Sequence, residues 1–224
     1  MKVSASRVIR KFLWSSYDNL GAIILGNILW FFLCLPVVTA PASTAALFSF
    51  TNRLISGKGA TAGDFWKGFR KYFLRSSYLG LIYLALLAMV ASNIFLYRHL
   101  SQTARIVAIF LGAVNLWLFL FFSLMVIYSL PLMVKQDLGL KKSLKQSALL
   151  ALDNPFFTIA ISIQAVIISF LSIPSIVGAI FLMTGLISLL LNQALQELFD
   201  KYEGNNKEEK EERRSLRTIF RPWE

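Results

Sequence analysis

One cysteine, one histidine and only 12 acidic residues stand in a chain of 224. Cys34 alone cannot close an intramolecular disulfide, and His99 alone leaves a zinc site without its ligand set. A Ser/His/Asp set could be built only around His99, which stands beside Arg98 with no acid near it in sequence. No Gly-x-x-x-x-Gly-Lys-Ser/Thr run is present, so the chain is not itself a P-loop ATPase, and no cofactor is expected. Charge is also missing from long stretches. Ser77–Tyr97, Ile106–Val134 and Pro155–Gln196 contain no Asp, Glu, Lys or Arg. Proton relays, ion-coupled pumps and intramembrane metalloproteases need ionisable groups at depth, and these runs offer none.

What fills the stretches is apolar. Hydrophobic residues make up 56% of the chain, charged residues 16%, and the mean hydropathy is +0.61. A bilayer core of about 30 Å takes roughly 20 helical residues to cross, and Pro155–Gln196 is long enough for two passes, with Pro174 between them. Uninterrupted runs of this length favour helices, since barrel strands would alternate every second residue. The expected class is all-α: a polytopic helical membrane protein with five or six membrane segments in three hairpin-like units.

The formal charge of +11 does not point to nucleic acid. The tail from Gln196 holds seven bases and eight acids, so the excess lies in segments flanking the apolar runs. Those bases also bear on the stretch LPVVTAPASTAAL (Leu35–Leu47), where Pro36 and Pro41 interrupt an apolar region. With a hairpin over 19–55, 21 of the 23 bases share one face. A single pass there gives 17 against six at best, and a signal peptide is disfavoured by the length of the apolar run. The hairpin is therefore expected, with Pro36, Thr39, Pro41 and Thr44 as its structural turn. Its return arm of about 16 residues leaves open a full crossing or a re-entrant loop. The expected layout is a membrane domain over 1–195, comprising the hairpin 19–55 and spans 77–97, 106–134, 155–173 and 174–196. A charged cytoplasmic tail follows over 197–224, and both termini are expected to be cytoplasmic in a multi-pass inner-membrane protein.

Each unit opens with a basic amphipathic stretch: Ser6–Tyr17, Asp64–Arg75 and Leu140–Asp153. RKFLWSSY (Arg10–Tyr17) echoes RKYFLRSSY (Arg70–Tyr78), as an internal duplication would. In the second stretch Asp64 is placed to cap the helix. Phe65, Trp66, Phe69, Tyr72 and Phe73 share one face, and Lys67, Arg70 and Lys71 take the other. This pattern predicts a helix in the headgroup layer, in contact with anionic lipid. In the third stretch the apolar side is Leu140, Leu144, Ala148 and Leu152. The polar residues inside the spans are Asn27, Asn115, Gln164, Asn192 and Gln193. They serve either as interhelical glue or, where they converge, as a polar pocket for a sugar hydroxyl or lipid headgroup. Gly178, Gly185 and Asn192 recur every seven residues, a face suited to close helix packing.

The run NILWFFLCLPVVT…TAAL (Asn27–Leu47), Asp64-Phe65-Trp66 with Gly68-Phe69, and the Asp153-Asn154-Pro155 entry resemble the bacterial YesL-like family, whose domain has no known function. Family members typically carry glycine before the second proline of the turn, where Ala40 stands in this chain. The resemblance implies no established activity and no catalytic residues. It does imply a genomic setting near carbohydrate uptake and polysaccharide degradation. The expectation that follows is a non-enzymatic accessory of transport, with an ATP-binding cassette sugar transporter as a partner. A small self-sufficient permease and a lipid-interacting scaffold are the alternatives.

Overall fold

The helices follow the apolar runs, and what breaks them is local. In a computed structural model, which describes residues 5–99, 102–172, 174 and 178–202, every regular element is helical. They are α1 (Ala5–Asp18), α2 (Leu20–Cys34), a 3-10 turn (Val37–Thr39), α3 (Ala40–Ile55), α4 (Ala62–His99), α5 (Gln102–Lys135), α6 (Leu140–Asp153) and α7 (Pro155–Ser172). A π-helical turn (Ala179–Met183) then runs into α8 (Thr184–Tyr202). Four stretches are long and apolar enough to cross a membrane: Ala62–Ser92, Ile109–Lys135, Pro155–Ser172 and Phe181–Tyr202. The protein is a multi-pass membrane protein.

The first and third units break at the same dipeptide. α1 and α2 meet at Asp18-Asn19 with a bend of 86°, and α6 gives way to α7 at Asp153-Asn154. At each joint the asparagine amide bonds back four residues, Asn19 Nδ2 to the Ser15 carbonyl (3.0 Å) and Asn154 Nδ2 to the Leu150 carbonyl (3.4 Å). The carbonyl of each asparagine then accepts the first bond of the next helix, from Ile23 N and Thr158 N. The side chain closes one helix while the backbone opens another. Asn154 carries more than Asn19, because Tyr202 and Lys201 also bond to it. With each bond worth about 0.5–1.5 kcal/mol, Asn154→Ala should lower the unfolding midpoint in detergent more than Asn19→Ala. Circular dichroism melts of the two variants check this.

The second unit has no such dipeptide, and this corrects one expectation. Asp64–Arg75 is not a separate interfacial helix. It is the first third of α4, which runs unbroken for 38 residues, about 57 Å. Nor do its aromatics meet lipid together. Phe65, Phe69 and Tyr72 are buried, Phe65 edge-on to Phe50 of α3 at 6.2 Å and Tyr72 donating to the Val134 carbonyl at 3.3 Å. Trp66 alone is well exposed, stacked on Phe69 with the Arg70 guanidinium over its ring. The apolar face is real, but α3 and α5 cover it. α6 forms as a separate helix over the expected residues and packs on α5 through its other side. Its buried face is Ser143, Ser147 and Ala151, small residues that admit α5 closely enough for Ser143 Oγ to donate to the Ser129 carbonyl at 2.6 Å. Leu152, on the side expected to face lipid, is exposed.

The hairpin forms, and its contacts place its tip against α4. Pro36 ends α2, and Thr39 Oγ1 closes the turn on the carbonyls of Leu33 and Pro36. Pro41 lies in the first turn of α3, where its missing N–H has no partner to lose. Trp30 Nε1 donates to Thr44 Oγ1 at 3.1 Å and ties the arms together. The arms are 15 and 16 residues, roughly 22 and 24 Å, short of a bilayer core. The Pro41 ring lies against Gly80 so closely that a Cβ there would stand 2.3 Å from Cγ. α4 continues 19 residues past that level, roughly 28 Å. The hairpin tip therefore lies partway along α4.

The core gathers at the hairpin end. Ile23, Leu47, Phe50 and Phe65 pack around one flank of α8 through Leu189. Tyr72, Tyr128, Leu132, Met133 and Leu195 pack on its other flank. Beyond Gly80 the α4–α5 pair stands clear of this core, exposing Leu84, Met89, Phe110, Leu116 and Trp117 along a largely apolar surface. That surface suits hydrocarbon, since both helices satisfy their own backbone bonds.

Candidate functional site

Polar groups inside an apolar bundle are costly unless bonded, so their partners show where specificity is built. Three residues on one face of α8 make the main set. The Gly185 amide donates to Asn27 Oδ1 of α2 at 2.7 Å. Ser188 Oγ lies 2.7 Å from Thr51 Oγ1 of α3. Asn192 Nδ2 donates to Thr51 Oγ1 at 2.8 Å and to the Phe48 carbonyl at 3.0 Å. Positions 185, 188 and 192 follow the helical repeat, so the face with the seven-residue recurrence of Gly185 and Asn192 is the face that meets α2 and α3. A Cβ at Gly185 would come within 2.8 Å of Ile23 Cγ2, which shows how closely α2 approaches there.

This is a seam between helices. Asn27 and Asn192 lie in it about two turns apart along α8. Asn115 on α5 and Gln164 on α7 are half-buried elsewhere, and among the described residues no bond joins either to the seam. The four amides thus do not line one pocket. Thr51 and Ser188 are the seam residues that the sequence reading did not single out, since hydroxyls in apolar helices routinely bond their own preceding turn. Thr51 does that too, to the Leu47 carbonyl at 3.0 Å, which leaves Ser188 as the donor between the two hydroxyls. Two acceptors next to the seam, Asn192 Oδ1 and Gln193 Oε1, are buried without a hydrogen-bond partner.

Ion pairs sit at the same end of the bundle. Glu197, almost fully buried, accepts from Arg7 of α1 at 3.1 Å, and Gln193 Nε2 reaches the Lys11 carbonyl one turn further along. Asp64 serves as the third residue of a capping box, with Thr61 as the cap: its carboxylate accepts from Thr61 N (3.1 Å) and Thr61 Oγ1 (2.8 Å). Arg53 lies 3.5 Å from the same carboxylate. Asp137, in the α5–α6 loop with a left-handed φ of 50°, accepts from both Lys71 and Arg75 at 3.0 Å. The bond from Lys71, with Arg75 behind it, holds the Asp137 carboxyl below the usual carboxylate range. No group of three or more His, Cys, Asp or Glu able to hold a metal occurs among the described residues.

The segment built by the α2–α3 hairpin and most of α4 is also where similarity to known proteins lies. Residues 23–94 match the model of a family described as a protein of unknown function, DUF624. The YesL-like family carries this domain. The DUF624 match begins at Ile23, against Gly185, and takes in Asn27, the whole turn, Thr51, the capping box and Gly80. It ends before α5. No curated protein and no solved structure matches the chain.

Proposed function

We propose that this protein is a non-enzymatic, transport-associated accessory of the bacterial inner membrane, with both termini cytoplasmic and a role in carbohydrate uptake. The observation that carries the non-enzymatic part is where its polar groups are spent. Bonds between helices occupy Asn27, Thr51, Ser188 and Asn192, and ion pairs at one end of the bundle occupy Glu197, Asp64 and Asp137. The carbohydrate link rests on the resemblance to the YesL-like family alone. The partner of this reading is an ATP-binding cassette sugar transporter, and nucleic acid is not one. Affinity purification from native membrane in mild detergent tests it, with recovery of transporter subunits as the expected result. Purification of the protein alone, together with solute flux in liposomes that contain nothing else, replaces it with a permease. The two unpartnered acceptors, Asn192 Oδ1 and Gln193 Oε1, favour that second reading, because a sugar hydroxyl is a suitable donor to both.

The orientation has its own test. Because 21 of 23 bases share one face with the hairpin in place, cysteines at Lys58 and Lys141 should resist labelling from outside intact cells. We propose further that the hairpin is re-entrant, so that a cysteine at Val38, at its tip, should resist impermeant reagents from either side. Ready labelling of Val38→Cys from outside would mean that the arms cross fully.

A further inference from the structure

We propose that the two Asp-Asn hinges are paired membrane anchors, each setting an apolar stripe into one leaflet with a base among its anionic phospholipid headgroups. The stripe around the first hinge is Leu13, Tyr17 and Leu20, and that around the second is Leu149, Leu152 and Phe156. All six side chains are between 48% and 88% exposed. They hold nearly the same register. Tyr17 and Leu152 stand directly before the hinge aspartate, and Leu20 and Phe156 fall just past it on the following helix. Arg10 and Lys145, both exposed, each stand eight residues before that aspartate. The inward positions coincide as well: Val8 and Ser143, each ten residues before it, are both buried. One face of each helix is used for the bundle, and the other is apolar near the hinge and basic away from it.

Two further observations select a lipid surface as the occupant. Each stripe continues directly onto the exposed apolar side of a following helix, through Leu25 on α2 and Ile159 on α7, so it is an extension of the hydrocarbon-facing belt. The helices that lead into both hinges are tied to the last three turns of α8, α1 at its start and α6 at the hinge itself. Glu197 holds α1 through Arg7, and Tyr202 and Lys201 hold the second hinge through Asp153 and Asn154. The two stripes therefore reach a single leaflet. The exposed bases complement anionic headgroups, and Tyr17 suits the headgroup boundary, where one end of the ring is wet.

The test uses the whole chain with Cys34→Ser, carrying an environment-sensitive fluorophore at Leu13→Cys or, separately, at Leu149→Cys. Each protein goes into nanodiscs of phosphatidylcholine, with or without phosphatidylglycerol. Spin-labelled lipids quench from near the headgroup or from near the chain end, and iodide quenches from water. The expected result is severalfold stronger quenching by the shallow lipid label than by the deep one at both positions, with little effect of iodide. A label at Lys58→Cys, in the exposed loop, should answer to iodide alone. Arg10→Glu and Lys145→Glu should weaken shallow quenching in discs with phosphatidylglycerol and leave neutral discs unchanged. Quenching by iodide without either lipid label would place the stripes in water and overturn the proposal. Protection from all three quenchers would mean that protein covers the stripes, and an equal effect of the charge swaps in both discs would remove headgroup recognition. Either outcome overturns it too.

Discussion

Gly80→Val should sharply reduce the yield of folded protein and the unfolding midpoint in detergent, while Gly112→Val leaves both near the parent values. Both glycines lie inside long helices of the same hairpin, so the intrinsic effect of valine on helix formation is shared and cancels in the comparison. Their surroundings differ. Nothing lies within 4 Å of a Cβ at Gly112, whereas at Gly80 the Pro41 ring is 2.3 Å away. A proline ring cannot rotate aside, and α3 is held from below by Gly68, where a Cβ would meet Ser49 at 3.0 Å. Relief therefore requires moving the whole arm, at about 1–3 kcal/mol for overpacking of this kind. Against a total stability of roughly 5–15 kcal/mol, that is a visible loss. Equal behaviour of the two variants would show that the hairpin tip does not rest on α4 at Gly80, and the proposal of a re-entrant hairpin would fall with it.

Local features explain how much of this architecture could be read before the structure. Uncharged length places α5, α7 and the apolar part of α4, and two prolines around Val37–Thr39 mark the turn, because bilayer thickness and a missing N–H act on short windows of sequence. The boundaries of α1 and α6 follow from amphipathic periodicity for the same reason. Coverage is a different matter. The row Phe65, Phe69 and Tyr72 has the composition of a lipid-facing stripe, yet α3 and α5 lie on it. The serines of α6 look like a polar flank but form its packing face. Periodicity reports that a face is distinct, and only the tertiary arrangement decides which neighbour it meets. Likewise the echo between Arg10–Tyr17 and Arg70–Tyr78 holds until Asp18-Asn19 enters the first copy, and there one helix becomes two. The same dipeptide at 153–154 was visible as a helix entry, but its side-chain bond to the preceding turn was not.

The amides are the hardest case, and the seam makes a strong prediction for one of them. Asn192→Leu keeps the branched shape of the side chain and raises helix propensity, so a loss of stability reports the hydrogen bonds. It removes two donors from Thr51 Oγ1 and the Phe48 carbonyl, both in the buried contact between α3 and α8. Interhelical bonds within a membrane are worth about 0.6–2 kcal/mol, and a buried group left short of a partner costs about 1–3 kcal/mol. The variant also deletes the unpartnered Oδ1, which offsets part of that loss. A net destabilisation of about 1–2 kcal/mol is expected, read as a lower unfolding midpoint in detergent. Asn115→Leu and Gln164→Leu, on half-buried sites with no bond to the seam, should change it little. Equal losses at 115, 164 and 192 would mean that the amides work as one constellation after all. Stability unchanged in Asn192→Leu, with loss of carbohydrate-dependent growth, would instead move this asparagine from helix packing to solute recognition and favour the permease.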